Sequence, residues 1–198
     1  MQKLNAFSLA EILIAMTIIG IVAILTFPNL MTDTSSTALR TKFKTVYTQL
    51  QDGLIYAENV QKHSFIDVGT PGTNNAKYSV DQFMRHHFNA GQVARSQGPN
   101  GLAYKLKNGA HVIFPQETQT TMVATGCDNS HPCLVYIDVN GNTSPNEIVE
   151  CTTGLTNRND VLAACTVDEN VISDIFEIKI QRSRITPYSN ATNYVLNH

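Results

Sequence analysis

The run from Phe7 to Phe27 constrains this chain more than any other stretch. It is apolar except for Ser8, Thr17, Thr26 and one carboxylate, Glu11. Twenty-one residues at about 1.5 Å of rise each give a helix of about 31 Å, close to the thickness of a bilayer's hydrocarbon core. The reading is a membrane-spanning helix with an acid one turn inside it. An ionised carboxylate in lipid costs about 2.5–3.5 kcal/mol on the gentlest scale, so such a residue marks function and calls for a partner.

The residues ahead of the run, Met1-Gln2-Lys3-Leu4-Asn5-Ala6, form a short polar leader with one lysine and a small residue at its end. Leader, acid and helix together resemble the type IV pilin and type II secretion pseudopilin superfamily. The resemblance implies a prepilin peptidase that cuts between Ala6 and Phe7 and methylates the new amine of Phe7. It makes Glu11 the fifth mature residue, where the family keeps its glutamate, and it puts Pro28 where many members carry a helix-bending proline. Two positions depart from the common pattern: Ala6 replaces a glycine before the cut, and Leu9-Ala10 replaces Leu-Ile.

In a filament of identical helices, the amine of one subunit's Phe7 meets Glu11 of its neighbour, and each charge relieves the other's desolvation. The alternative for Glu11 is a side chain that snorkels to the headgroups from near the helix end. A secretory signal fits poorly, since its apolar region is about 7–15 residues and ends in an A-x-A-like site. An ordinary single-pass anchor accounts for the length but for neither Glu11 nor the leader.

Composition places the rest among globular domains: 42% apolar and 15% charged over 198 residues. With Lys3 and Glu11 set aside, the part beyond Met31 holds thirteen Lys+Arg and fifteen Asp+Glu, a formal charge of −2. Nucleic acid is therefore not indicated by bulk electrostatics. Arg40, Lys42 and Lys44 read as a solvated helix face. The expected division is a leader over 1–6, a transmembrane and assembly half over 7–30, and a periplasmic head over 31–198.

All four cysteines, Cys127, Cys133, Cys151 and Cys165, follow the anchor, and an even number on the exported side reads as two disulfides. Cys127–Cys133 with Cys151–Cys165 closes short loops and is favoured. Cys133 with Cys151, equidistant from Asn142, competes as a pair across a hairpin. Cys127, His131 and Cys133 lack a second pair to complete a zinc tetrahedron.

The helix resumes after Pro28 and runs to about Gln61. Leu39, Phe43, Val46, Tyr47, Leu50, Leu54, Ala57 and Val60 recur at three- and four-residue steps and define one apolar face. Gly20 and Pro28 are its weak points, because proline deletes a backbone hydrogen bond and clashes with the preceding turn. The segment between them is expected to unwind in part, the simpler alternative being a kink. Ser79 caps a short helix over Val80–Asn89, on which the adjacent His86 and His87 point to different sides and make a poor metal pair. Val68–Lys77 and Gly91–Gly101 read as loops.

Strands follow: Leu102–Lys107 and Ala110–Phe114 around Asn108-Gly109, a hairpin signal, then Cys133–Val139 as a central strand. Ile175–Ile180 and a return at Arg184–Thr186 complete the set. The expected fold is α+β, a long N-terminal helix packed on an antiparallel sheet of about four strands, pilin-like. Asp138-Val139-Asn140-Gly141-Asn142 resembles the head region of pilin-like subunits. Asp138, Asn140 and Asn142 alternate as oxygen donors and are weak calcium candidates. Glycine at the fourth loop position and Val149 at the twelfth depart from the EF-hand pattern, so a structural turn is preferred. No cofactor is expected.

No nucleophile elbow, phosphate loop or paired-histidine zinc motif is present, which argues against an enzyme. The function expected is a subunit stored in the inner membrane with its head in the periplasm, then polymerised into a pilus or pseudopilus. Its partners are a prepilin peptidase, other pilin or pseudopilin subunits, an inner-membrane assembly platform and membrane lipid. The alternative is a periplasmic binding domain or enzyme for which the helix is a tether.

Overall fold

The computed structural model describes residues 9–61, 80–95, 97–115, 127–128 and 130–198, with the backbone alone over 23–34. A single helix, α1 (Leu9–Asn59), runs for 51 residues. After it come α2 (Val80–Phe88), β1 (Gly91–Val93), β2 (Gly101–Lys105), β3 (His111–Pro115), β4 (Cys133–Asp138), β5 (Ile175–Gln181), β6 (Arg184–Pro187) and α3 (Asn190–Asn197). The strands form one antiparallel sheet in chain order.

The core lies between α1 and one face of this sheet. Phe43, Val46, Leu50, Leu54 and Ala57, one per turn of helix, are buried against Val112, Phe114, Val135, Ile137, Phe176, Ile178 and Ile180. Phe43 stacks on Phe176 with ring centroids 4.1 Å apart. Each such side chain contributes about 1.5–3 kcal/mol on full burial, so this stripe rather than helix propensity holds α1 to the head. Gly53 belongs to the same fit: a Cβ there would run into the ring of Phe88.

The sheet's last edge is closed by α1 side chains. Ile185 on β6 donates its N–H to Gln51 Oε1 at 2.7 Å, and its carbonyl accepts from the Tyr47 hydroxyl at 2.8 Å. Those main-chain groups would otherwise template pairing with another strand.

Two expectations need correction. Among the described residues the sheet has six strands, not about four: Gly91-Gln92-Val93, expected within a loop, pairs with Ala103–Lys105 as an edge strand. Asn108-Gly109 does not form a two-residue turn. Leu106 N–H bonds to Ala110 O and Gly109 N–H to Leu106 O, and of the pair only Gly109 has positive φ (85°), the geometry of a three-residue loop with a glycine bulge. Among the described residues no helix is long and apolar enough to cross a membrane. Part of the 7–30 segment lies outside the described residues or side chains.

Candidate functional site: the projecting half of α1

Every described side chain from Leu9 to Val22 is exposed, and the first buried side chain described after them is Ser36. Leu9, Met16 and Ile19 are 79%, 70% and 67% exposed. The amphipathic half of α1 therefore packs on the head while the apolar half leaves it uncovered. A contiguous apolar surface of this size marks an interaction site. Its one described hydroxyl is satisfied internally: Thr17 Oγ1 donates to the carbonyls of Leu13 and Ile14 at 2.9 and 2.8 Å. Burying that face against apolar neighbours leaves no stranded donor.

Glu11 lies one turn from the start of the described part of α1. Ala6 and Phe7 lie outside the described residues. The helical assignment is continuous through Gly20 and Pro28, and a Cβ at Gly20 would meet nothing within 4 Å. The proposed unwinding between them is not visible in this arrangement.

An apolar helix that projects from a head, with an acid near its described start, is what the family comparison addresses. Residues 1–27 match the Prokaryotic N-terminal methylation motif. This is the prepilin-type cleavage and methylation motif of type IV pilins and pseudopilins. No curated protein and no solved structure matches the chain. The motif covers the leader and the apolar half of α1; it implies processing by a prepilin peptidase and assembly with other pilin subunits. It is a mark of structural, pilin-like proteins.

Elsewhere in this motif-bearing chain, the cysteines pair as Cys127–Cys133 and Cys151–Cys165. The first bridge is buried at the start of β4 and the second staples the long excursion between β4 and β5. Both thiolates of the zinc alternative are thus consumed, and His131 Nδ1 lies 3.1 Å from Asp128.

The calcium candidates are engaged in other ways. Asp138 Oδ1 accepts N–H bonds from Asn140 at 3.2 Å and Gly141 at 2.8 Å, closing a turn, while its Oδ2 takes the Arg95 guanidinium at 2.6 Å. Asn140 donates to Ser144 O and Asn142 to Ala94 O. Among the described residues no group of three His, Cys, Asp or Glu side chains forms a metal set.

Sequence reading missed the charges on the sheet's outer face. Asp138 and Glu177 are fully buried there, and each is met by an arginine from an irregular segment, Arg95 and Arg158. Burial pushes the Asp138 carboxyl up, against the pull of Arg95. Asp174 is likewise pushed up by burial, against N–H bonds from Asn146 and Glu147 and with the Asp138 charge adding to the rise. No spacing rule announces these partners.

Proposed function

We propose that this chain is a structural subunit of a type IV pilus or a type II secretion pseudopilus. In this reading a prepilin peptidase cuts after Ala6 and methylates Phe7, and the apolar half of α1 holds the precursor in the inner membrane with the head in the periplasm. An assembly platform then moves the subunit into a helical polymer, where Glu11 pairs with the amine of a neighbour's Phe7. Methylation leaves that amine its positive charge. The stretch from Gly20 to Pro28 is the part of α1 that unwinds to fit the filament. The chain has no catalytic role of its own.

The observation that carries the reading is the coincidence of the methylation motif with Leu9–Val22, a stretch of α1 whose described side chains the head leaves uncovered. Lipid before assembly and neighbouring helices after it are the two environments that relieve such a surface. A simple tether needs neither a cut site nor an acid in its apolar run.

The deciding experiment is intact mass spectrometry of the full chain purified from membranes. The expected mass lacks Met1–Ala6 and carries one added methyl group. A chain that still begins at Met1 sinks the proposal and favours the tether.

A further inference from the structure

The segment just beyond the second disulfide reaches back to α1 and holds it. Ser36, 1% exposed, donates its hydroxyl to the main-chain carbonyl of Glu169. One turn on, Arg40 Nη2 donates to the carbonyl of Asp168 at 2.8 Å. Residues four apart share a helix face, so the two donors grip consecutive carbonyls of one strap. The Arg40–Glu169 ion pair adds little, since it spans 3.8 Å and the glutamate side chain is 75% exposed. Fully buried apolar side chains on the described part of α1 start at Phe43, with Leu39 partly buried before it. The turn from Ser36 to Arg40 therefore depends chiefly on the strap.

The strap is backed in turn by the bridge. Only Thr166 and Val167 separate Cys165 from Asp168. Thr152 donates its N–H to Thr166 O at 2.8 Å, Thr166 donates its own to Thr153 O at 3.2 Å, and the Asp168 N–H goes to Thr152 Oγ1 at 2.9 Å. These bonds join the residues next to Cys151 to those next to Cys165, so bridge and ribbon form one unit. A two-stranded ribbon this short does not hold itself together in water. Cys151–Cys165 is also the reachable bridge: both its cysteines are half-buried, whereas Cys127 and Cys133 are fully buried. Access helps to decide which disulfide a thiol attacks.

We propose that Cys151–Cys165 is a redox-operated latch on α1. Closed, it keeps Asp168 and Glu169 where Arg40 and Ser36 grip them. A dithiol opens it: one thiolate attacks a bridge sulfur to form a mixed disulfide, and the second thiol then displaces the protein cysteine. The bridge takes up two electrons and two protons to become two thiols, and the dithiol leaves as a cyclic disulfide. The strap then separates from α1, and the helix is free to pivot ahead of Phe43. The inference concerns the head and does not depend on the assembly role.

The test is hydrogen exchange read by mass spectrometry on the full chain in detergent, before and after titration with dithiothreitol and alkylation. Cys151 and Cys165 are expected to be alkylated together at reductant levels that leave Cys127 and Cys133 bridged. Exchange over residues 36–42 is then expected to rise by about threefold or more, with residues 43–57 unchanged. Cys151→Ser combined with Cys165→Ser should show the same rise without reductant. Ser36→Ala combined with Arg40→Ala should show it with the bridge closed, and reduction should add nothing further. Glu169→Ala should leave exchange at the wild-type rate. Unchanged exchange over 36–42 once Cys151–Cys165 is open overturns the proposal. So does a further rise on reducing the Ser36→Ala, Arg40→Ala chain, or equal loosening of residues 43–57.

Discussion

Arg158 grips Glu177 with two nitrogens: Nη2 lies 2.8 Å and Nε 3.0 Å from the same carboxylate oxygen. The glutamate is fully buried on β5, while the arginine side chain is 48% exposed. The hydrogen-bonded Glu177 pushes the Arg158 guanidinium's pKa up. A bidentate pair of this kind fixes geometry as well as charge. It pins the disulfide-closed excursion between Cys151 and Cys165 to the sheet. Removing the arginine strands a buried charge, so Arg158→Ala is expected to cost about 2–3 kcal/mol, reduced from the fully buried case because water reaches the vacated side. Adding Glu177→Gln to Arg158→Ala should recover part of it. A denaturant-midpoint cycle over the four proteins measures this, and strict additivity would refute the pairing.

Acid should loosen the head through His111. It is buried, and burial together with the charges of Arg95, Lys105 and Lys42 pushes its pKa below the ordinary 6.5. Folding therefore favours the neutral ring: the contribution is present above about 6.5 and is lost as pH falls through the lowered folded value. Asp138 and Asp174, raised from 3.8, act with the opposite sign, adding stability below that value and losing it as pH rises through their folded values. Between about pH 7 and pH 5 the histidine effect is isolated by comparison with His111→Asn, which should lose less thermal stability over that span. Parallel curves for the two proteins would remove His111 from the account.

Gly53 decides between two opposing effects. In an exposed helix interior, glycine to alanine stabilises by roughly 0.5–1 kcal/mol. Here the added methyl would collide with the Phe88 ring, which packs α2 against α1. Overpacking of this kind costs about 1–3 kcal/mol, so Gly53→Ala is expected to destabilise despite better helix propensity. Combining it with Phe88→Ala should restore the propensity gain at position 53. Chemical denaturation of the single and double variants reads out the sign.

The two disulfides should separate in their effects. Cys127–Cys133 spans six residues at the head of β4, and Cys151–Cys165 spans fourteen within the excursion. A bridge of the larger size contributes about 3 kcal/mol in the chain-entropy account. Reduction is expected to expose residues 127–165 to protease well before α1, which is held by its own apolar stripe. Equal rates of cleavage in α1 and in the excursion would contradict this.

What could be read in the sequence follows from periodicity. Phe43, Val46, Leu50, Leu54 and Ala57 repeat at helical steps, and Ile175–Gln181 alternates, so helix, core face and most strands were legible before any coordinates. Gly91-Gln92-Val93 was not, because three residues with two weak strand formers carry no period; pairing with β2 makes them a strand. Asn190–Asn197 is polar enough to pass for a tail, although Ser189 accepts the N–H of Thr192 as a helix cap. Arg95–Asp138 and Arg158–Glu177 join residues 43 and 19 apart in sequence. Such pairs depend on where loops land, which local pattern does not encode. The leader and apolar run were legible as a motif, and the family model matches there, over residues 1–27.

The last prediction separates insertion from assembly. Glu11 sits within an apolar stretch, where an ionised carboxylate needs a counter-charge. Glu11→Ala removes the cost of burying the acid, so the precursor should enter the membrane at least as well as before. The proposed pairing with a neighbour's amine would be lost at the same time, leaving that amine uncompensated in the filament core. Incorporation into filaments is therefore expected to fall at least tenfold, equivalent to about 1.4 kcal/mol per subunit contact. Glu11→Gln, equal in shape but uncharged, should fail to a similar degree. The measurement is the ratio of sheared-filament to membrane subunit for each variant; filaments at wild-type level from Glu11→Gln would show that shape, not charge, is what the position supplies.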